Sequence, residues 1–397
     1  MPDPDFRPLH VCHLVAYFHP FESGAERQAL AQGSELVRLG HTVHVVTHQM
    51  PGVPRDENVR GIHVHRWVQS SKRGPLFAPS FVASTLRALR RLQAESPFDL
   101  IHTHQGLWEG VAAGLARRGF VRGVATIVQP ASSGYYGEAE ELSRTKGAWA
   151  LRRLILQNDM FIALSADVER QWLGLGVPID RMTRIASGVD SNHYAPGDSR
   201  AEAEGALPAS PRVVFTGRLH PQKNLDVLID AWPTVAGATG ASLVLIGHGP
   251  ERERLQARAL ERGVGRFVTF LGAVEDVADL LRAADLFVLP SVAEGMSNSL
   301  LEAMATALPC VASDIGGNQD LLGPDDAGVL VATGSSGRWA EVLIELINDP
   351  DRRHRLATAA RRRVVEEFAL ERVVARYVAL YRRLLGRNES GPTEDRA

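Results

Sequence analysis

The sequence predicts an α/β protein with two doubly wound parallel-sheet domains that face a central cleft. The chain has 397 residues, more than one ordinary hydrophobic core accommodates. Short apolar segments rich in β-branched residues alternate with longer helical patterns, which is typical of βαβ units. A segment rich in Ala, Pro, Gly and Ser at 195–212 interrupts this alternation and is the predicted linker.

The first domain is predicted to span residues 1–195. Its apolar segments predict strands at 11–18, 41–47, 62–67, 99–104, 124–128, 160–165 and 182–187. Apolar residues with helical spacing lie between most of these strands, at 24–39, 81–93, 107–118 and 166–175.

The second domain is predicted to span residues 196–369. Its predicted strands lie at 212–217, 242–247, 267–272, 285–290, 309–314 and 328–332. Helical patterns fill the gaps at 224–236, 250–262 and 276–283. An amphipathic helix follows at about 370–386, and the polar tail 387–397 is predicted to be disordered.

Composition excludes several classes of protein. A formal net charge of −2 argues against a dedicated nucleic-acid binder. Cys12 and Cys310 lie in apolar segments and are expected to be buried, not disulfide-bonded or metal-bound. With no secretory signal pattern and no apolar run of about 20 residues, we expect a cytoplasmic protein.

Two basic helical segments, 84–93 and 144–157, are compatible with peripheral contact at the inner face of the cytoplasmic membrane. A solvated helix face is the favoured interpretation of both. The sequence does not indicate an oligomeric state.

The segment EGMSNSLLEA, which begins at Glu294, follows a predicted strand end. Ligands bind beyond such ends in open parallel sheets, and Gly295 marks a turn there. Ser297, Asn298 and Ser299 are all suitable helix N-caps. A helix that begins here would direct its positive dipole end at the cleft, which favours binding of phosphate.

Glu302 lies one turn inside that helix, and its carboxylate can reach back toward a sugar hydroxyl at the helix N-terminus. Ser299 and Glu302 also fit the S-x-x-E capping box, which spacing alone favours. A glycosidase pair formed by Glu294 and Glu302 is a third interpretation. The helix N-terminus argues against it, since hydrolysis of a neutral glycoside needs no anion site.

A second motif, GRLHPQKN, follows the predicted strand 212–217. Arg218 and Lys223 flank a turn there and could clamp a diphosphate, while Asn224 could cap the next helix. Two solvated loop cations are the alternative, but the 294–302 segment in the same domain favours phosphate binding.

Two further loops lie at strand ends in this domain. Gly247 and Gly249 resemble part of a dinucleotide fingerprint, but Arg252 occupies the position of the third glycine, so a tight turn is favoured. In the next loop, backbone groups of Ala273 and Val274 could meet a nucleotide base edge.

In the first domain, Gly24 lies in a strand-to-helix loop and could allow a phosphate or sugar to approach the backbone. His102 and His104 share one strand face, and His104 is nearer the strand end, where it could orient a substrate hydroxyl. A purely structural histidine is the alternative, and the residue type alone favours it. A metal site would need a third ligand, for which only Glu109 stands nearby in sequence, so no metal is predicted.

Taken together, these motifs resemble the retaining glycosyltransferases of family 4, which have the GT-B architecture of two Rossmann-like domains. The resemblance covers nearly the whole chain. Its most specific part is the Glu-x7-Glu pair within EGMSNSLLEAMATALPCVASDIGGN, followed by GRLHPQKN, SGAERQALAQGSELVRLGHTVHVVT and SGVDSNHYAP. Two positions depart from the family pattern: Ser23 precedes Gly24 where Gly-Gly is usual, and Ser187 replaces the Asn of Asn-Gly-Val-Asp.

The resemblance implies roles for individual residues. Arg218 and Lys223 would hold the donor diphosphate, Glu294 would lie beside the donor sugar, and Glu302 would bind the nucleotide ribose instead of capping the helix. Further donor contacts and a catalytic-region histidine would be supplied by Gly24, Gly295, Met296, Ser297, Asn298, Ser299 and His104. The helix at about 370–386 would cross back to the first domain.

The predicted activity is transfer of a hexosyl or N-acetylhexosaminyl group from a nucleotide-diphosphate sugar to an acceptor hydroxyl. A UDP-sugar is the favoured donor and GDP-mannose the second candidate; the acceptor would be a sugar or a lipid-linked sugar. No cofactor or metal is expected, since the two cations and the helix N-terminus stabilise the departing diphosphate. The alternatives are an isomerase or phosphorylase of the same architecture, or a non-catalytic sugar-binding protein.

Overall fold

The computed structural model describes residues 7–21, 23–71, 74–121, 123–205, 207–274, 276–323 and 326–389. The chain divides into two compact units. The first unit is Met1–Gly188 with Leu370–Ala397, and the second unit is Val189–Ala369.

The division after Gly188 falls earlier than the boundary predicted at residue 195. The predicted linker 195–212 belongs to the second unit, where the carboxylate of Asp279 accepts hydrogen bonds from the backbone N–H groups of Arg200 and Ala201, both at 2.9 Å. The polar composition of this segment predicted irregular structure but could not show that the segment packs on the second unit.

The first unit contains an eight-stranded sheet in the order β3-β4-β2-β1-β5-β6-β7-β8. All neighbouring pairs are parallel except β3 and β4. The strands are β1 His10–Leu14, β2 Thr42–His48, β3 Asp56–Val59, β4 Ile62–Val68, β5 Leu100–Thr103, β6 Ala125–Val128, β7 Met160–Ala163 and β8 Met182–Arg184.

Helices pack on both faces of this sheet. They are α1 Gly24–Arg38, α2 Phe77–Glu95, α3 Trp108–Gly119, α4 Glu138–Arg144, α5 Ala148–Ile155 and α6 Ala166–Gly174. The C-terminal helix, Leu370–Glu389, contributes Val373, Tyr377 and Tyr381 to the same core as Val11 and Val43 of β1 and β2. The predicted tail overlaps the end of this helix, and residues 390–397 lie outside the described residues.

The second unit contains a six-stranded, all-parallel sheet in the order β11-β10-β9-β12-β13-β14. Its strands are β9 Arg212–Thr216, β10 Ser242–Ile246, β11 Val268–Gly272, β12 Leu286–Leu289, β13 Cys310–Ser313 and β14 Val329–Val331. Its helices are α7 Arg200–Ala203, α8 Asp226–Thr239, α9 Arg252–Glu261, α10 Val277–Arg282, α11 Asn298–Ala305, α12 Gly316–Leu322, α13 Ser336–Asn348 and α14 Pro350–Arg363.

These sheets confirm the predicted class of two doubly wound α/β domains. The central parallel strands are almost entirely buried because helices cover both faces, which explains their continuous apolar sequences, whereas β8, β11 and β14 at the edges are mostly half-buried. Cys12 and Cys310 are buried free thiols, as predicted, and burial raises the pKa of each. Among the described residues, no helix combines the length and the apolar composition needed to cross a bilayer.

Candidate active site

The candidate site of the second unit lies where the strand order of its sheet reverses. β9 is flanked by β10 on one side and by β12 on the other, so the connections from these strands diverge to opposite faces. Such a point opens a crevice beyond the carboxyl ends of the strands, where ligands bind in doubly wound sheets. The loops that follow β9 and β12 carry the predicted residues Arg218, Lys223 and Glu294.

Close packing of the β9 and β10 loops shapes one wall of this site. Leu219 donates its backbone N–H to the carbonyl of His248 at 2.8 Å. A Cβ atom on Gly247 would come within 2.0 Å of the Gly217 carbonyl oxygen, and one on Gly249 within 2.1 Å of the Leu219 carbonyl oxygen. The Gly-x-Gly pair therefore allows the two loops to approach each other, in line with the tight-turn interpretation.

The central contact joins two predicted residues that are distant in sequence. Lys223 ends a single 3-10 turn, Pro221–Lys223, and its Nζ lies 2.5 Å from Oε1 of Glu294. The hydroxyl of Ser291 donates to the same Glu294 oxygen at 2.6 Å. Ser291 is fully buried and Glu294 is 8% exposed, so the carboxylate is held in one position by a cation and a hydroxyl.

The loop after β12 is anchored on two sides. The Gln222 amide donates to the carbonyl of Ala293 at 2.7 Å, and the Val292 N–H donates to the carbonyl of Gln222 at 2.9 Å. On the other side, a Cβ atom on Gly317 would lie 2.7 Å from the Gly295 carbonyl oxygen. These contacts fix the backbone that presents Glu294.

Helix α11 begins directly after this loop. Ser297 is its N-cap, and its hydroxyl accepts the Leu300 N–H at 3.3 Å. Asn298 and Ser299 are therefore the first two helical residues, and the capping-box interpretation of Ser299 and Glu302, which spacing alone favoured, is wrong. Glu302 lies in the second turn and is 3% exposed.

Asn224 also differs from its prediction. It adopts a left-handed conformation with φ of 50° after the 3-10 turn, and α8 has no side-chain cap. Its carbonyl, not its side chain, accepts a hydrogen bond from the N–H of Val227.

Several groups that favour an anion lie at this site. The N-terminal end of α11 carries the positive end of a helix dipole. Burial, together with the nearby charges of Arg218 and Lys223, lowers the pKa of His220, although Glu251 opposes this effect. The Arg218 side chain is exposed and the Lys223 side chain is 17% exposed, so both cations can meet a ligand.

The remaining predicted donor residues of this unit occupy the same edge of its sheet. Gly295 and Met296 are buried in the loop that leads to α11, whereas Val274 is half-buried in the loop after β11. Val274 follows β11, and β10 lies between β11 and β9, so Val274 is two strands away from the loop that carries Arg218 and Lys223.

Two predicted residues belong to the first unit. Gly24 is the exposed first residue of α1, next to Ser23, whose hydroxyl bonds the carboxylate of Glu26. His104 directly follows β5 and is 1% exposed. Burial and the neighbouring His102 and His13 hold the pKa of His104 well below its usual range, so its imidazole is neutral.

Sequence reasoning missed Ser291, Gln222 and His13. The first two lie close in sequence to Glu294 and Lys223, but nothing in their residue types indicates contact with either loop. His13 lies on β1 beside β5, so the third histidine near His102 and His104 comes from a distant segment. Only the strand order places His13 beside His102 and His104.

Comparisons with known proteins agree with this architecture. Residues 23–193 match the family described as Glycosyltransferase Family 4, and residues 210–349 match the family described as Glycosyl transferases group 1. The solved sucrose-phosphate synthase of Thermosynechococcus elongatus has a similar fold, with a TM-score of 0.81 at 24% identity, covering 96% of this chain and 100% of the other.

Curated relatives align over most of their length. D-inositol 3-phosphate glycosyltransferase of Nocardia farcinica is 30% identical over 390 residues, covering 90% of this chain and 85% of that protein. GDP-mannose-dependent alpha-mannosyltransferase of Mycobacterium tuberculosis is 30% identical over 367 residues, covering 90% and 92%.

The two doubly wound units have the fold of the GT-B architecture, and the family matches identify the chain as a glycosyltransferase. The chain belongs to glycosyltransferase family 4.

Proposed function

We propose that this protein transfers a hexosyl or N-acetylhexosaminyl group, with retention of configuration, from a nucleotide-diphosphate sugar to a hydroxyl of a sugar or lipid-linked sugar. Membership of family 4 supports the class of reaction. The single observation that carries the mechanism is the contact of Lys223 with Glu294 at the switch point of the second unit.

The main chemical task is to stabilise charge on the departing diphosphate. Arg218 and Lys223 would hold the phosphate oxygens, since Arg offers a planar fork of donors and Lys a compact point charge. The N-terminus of α11 would add a fixed dipole and backbone donors from Met296 to Ser299. Such preorganised groups act without reorganising when the bond breaks, and no metal ion is needed for this task.

The two glutamates would have different partners. Glu294 is held by Ser291 and Lys223 in the loop after β12, where it would accept hydrogen bonds from hydroxyl groups of the donor sugar. Glu302, one turn further along α11, would accept the ribose hydroxyls. Gly24 would let the diphosphate approach α1, and Val274 would meet the base.

His104 would act as a hydrogen-bond partner for a sugar hydroxyl. Because its pKa is held well below the usual range, it would remain neutral at physiological pH and would not supply a positive charge. Retention would follow if the acceptor attacks from the face on which the diphosphate leaves.

The nucleotide base and the sugar of the donor are to be identified with a panel of candidate donors. UDP-sugars are the first candidates, and the relative named for GDP-mannose supports including GDP-sugars. The isomerase, phosphorylase and non-catalytic alternatives gain no support from the family assignment.

A panel of UDP-, GDP- and ADP-sugars tests the proposal. A bound donor should raise the melting temperature by mass action, and the same donor should show slow nucleotide release without an acceptor. Arg218→Ala should lose both effects. Arg266→Ala is the control, since Arg266 precedes β11 and therefore lies at the amino ends of the strands, away from the loops that carry Arg218 and Lys223. The proposal fails if no nucleotide sugar raises the melting temperature of the protein and none is cleaved to release its nucleotide.

A further inference from the structure

Three histidines lie together on one face of the sheet in the first unit. His13 of β1 is the register partner of His102 of β5, and His104, two residues further on, faces the same side. One ring nitrogen of each lies within 4.8 Å of the other two. Within the described part of the chain, no other three His, Cys, Asp or Glu side chains form such a group.

The cluster occupies the switch point of its own sheet. β1 has β2 on one side and β5 on the other, so the connections from β1 and β5 diverge as they do in the second unit. His13 precedes the last residue of β1, and His104 follows the last residue of β5. The three rings therefore lie near the carboxyl ends of the two strands, where a doubly wound sheet receives its ligands.

The ring nitrogens of two of the three histidines are poorly satisfied. His13 and His104 are 0% and 1% exposed; among the described residues neither nitrogen of His104 has a hydrogen-bond partner, and the backbone of Ala29 approaches His13 without good hydrogen-bond geometry. Buried polar atoms without partners are rare, and an ion or an ordered water molecule commonly accounts for them.

An imidazole binds a metal ion through the lone pair of one ring nitrogen, so a buried ring with a nitrogen that lacks a partner can accept an ion.

His102 is already oriented by hydrogen bonds. Its Nε2 lies 2.9 Å from Oε1 of Gln129, which can only accept, so Nε2 carries the proton. The lone pair is then on Nδ1, which accepts from the Tyr381 hydroxyl at 2.7 Å. An imidazole anchored through its N–H to a carbonyl oxygen is the usual outer-shell arrangement of a metal-binding histidine.

We propose that His13, His102 and His104 form a binding site for a late first-row divalent cation such as Zn²⁺. Three neutral imidazoles with an open fourth position suit Zn²⁺, whereas Mg²⁺ prefers oxygen ligands. Nitrogens at about 2.0–2.1 Å from the metal stand roughly 3.3 Å apart in a tetrahedron, so the ring nitrogens must approach one another by at most about 1.5 Å. Tyr381 must also give up its bond to His102. A cation would take the lone pair of one His104 nitrogen and leave the N–H of the other for the proposed sugar contact, so the inference concerns cation binding alone and does not depend on the proposed transferase mechanism.

The experiment uses the full-length protein without an affinity tag, freed of metal by a chelator and then titrated with ZnCl₂, CoCl₂ or MgCl₂. We expect one equivalent of Zn²⁺ to bind, one equivalent of Co²⁺ to give the intense visible absorption of a four-coordinate site, and Mg²⁺ not to bind. His13→Gln should lose this equivalent. His44→Gln, which alters a buried histidine outside the cluster, should keep it. The proposal would be overturned if the wild type binds no equivalent of Zn²⁺, or if His13→Gln still binds it. Buried water would then be the partner of the rings.

A second variant keeps the test decisive if His13→Gln does not fold. Tyr381→Phe removes the hydroxyl that competes for the lone pair of His102, so Zn²⁺ should bind several-fold more tightly than to the wild type. An equal or weaker affinity would exclude His102 as a ligand and, with it, the three-histidine site.

Discussion

In the second unit, Nζ of Lys223 lies 2.5 Å from Oε1 of Glu294, although the two residues belong to loops that follow different strands. The pair joins the predicted phosphate-binding cation to the acid predicted to bind the donor sugar. Any diphosphate that recruits Lys223 must therefore compete with Glu294 or share the ammonium group with it.

Loss of the lysine should mainly affect the chemical step. In Lys223→Ala, we expect turnover to fall by about 10²-fold or more, comparable to the loss of one oxyanion-hole donor. Steady-state kinetics with the best donor measure this loss, and Arg266→Ala serves as the matched cation control. Turnover near that of the wild type would contradict the diphosphate clamp.

Neutralising the acid should have opposite effects on binding and transfer. In Glu294→Gln, Lys223 no longer faces a carboxylate, so the free nucleoside diphosphate should bind about tenfold more tightly, which corresponds to roughly 1.4 kcal/mol. Transfer should fall, because the sugar loses a charged acceptor. Calorimetric titration with UDP and GDP measures the affinity; weaker binding of both would show that the carboxylate does not compete for Lys223.

The close approach of Gly317 in α12 to the Glu294 loop should control the position of that loop. A methyl group in Gly317→Ala would meet the carbonyl oxygens of Gly295 and Glu294, at 2.7 and 2.9 Å. We expect the loop to shift and kcat/KM for the donor to fall by roughly 10- to 100-fold, since small misplacements of reacting groups are costly. The control is Gly337→Ala, also at the second position of a helix but with no atom within 4 Å of the added methyl. Equal kinetics in the two variants would rule out this role.

A buried carboxyl in the first unit should make stability depend on pH. Burial, reinforced by Glu138, Glu141 and Glu26, raises the pKa of Glu109 from 4.5 to about 8, although the backbone of Glu109 opposes the shift. The native state therefore holds this proton more tightly than the unfolded state. The resulting stabilisation is complete below pH 4.5 and is lost as pH rises toward 8, with a slope of up to about 1.4 kcal/mol per pH unit.

Glu109→Gln removes this dependence. Its free energy of unfolding should exceed that of the wild type by a margin that grows between about pH 5 and about pH 8. Urea unfolding at several pH values measures the margin, with the exposed Glu253→Gln as the control. A margin that does not change with pH would show that Glu109 titrates normally.

The sequence predicted the parallel strands well because burial on both faces demands continuous apolar segments such as VVFT and LFVL. It missed β3, whose sequence DENV is polar and partly exposed at the edge of the sheet. It also placed the domain boundary in the most polar segment, whereas the chain leaves the first unit earlier, at Gly188.

Within the candidate site, sequence reasoning identified side chains but not their contacts. Ser297, Asn298 and Ser299 all suit an N-cap, and local chemistry cannot decide among them; in the structure Ser297 is the N-cap and α11 begins at Asn298. The contacts of Lys223 with Glu294 and of His13 with His102 arise from the order of strands in each sheet, which no local spacing encodes. The roles of these residues in catalysis stay predictions.

The C-terminal helix Leu370–Glu389 has a consequence for synthesis on the ribosome. Its side chains complete the core of the first unit, yet they are translated after the whole second unit. We therefore expect the nascent first unit to keep an uncovered apolar surface until this helix is made, whereas the second unit is continuous in the chain and can complete its core first. On this expectation, the unit that is translated first matures last.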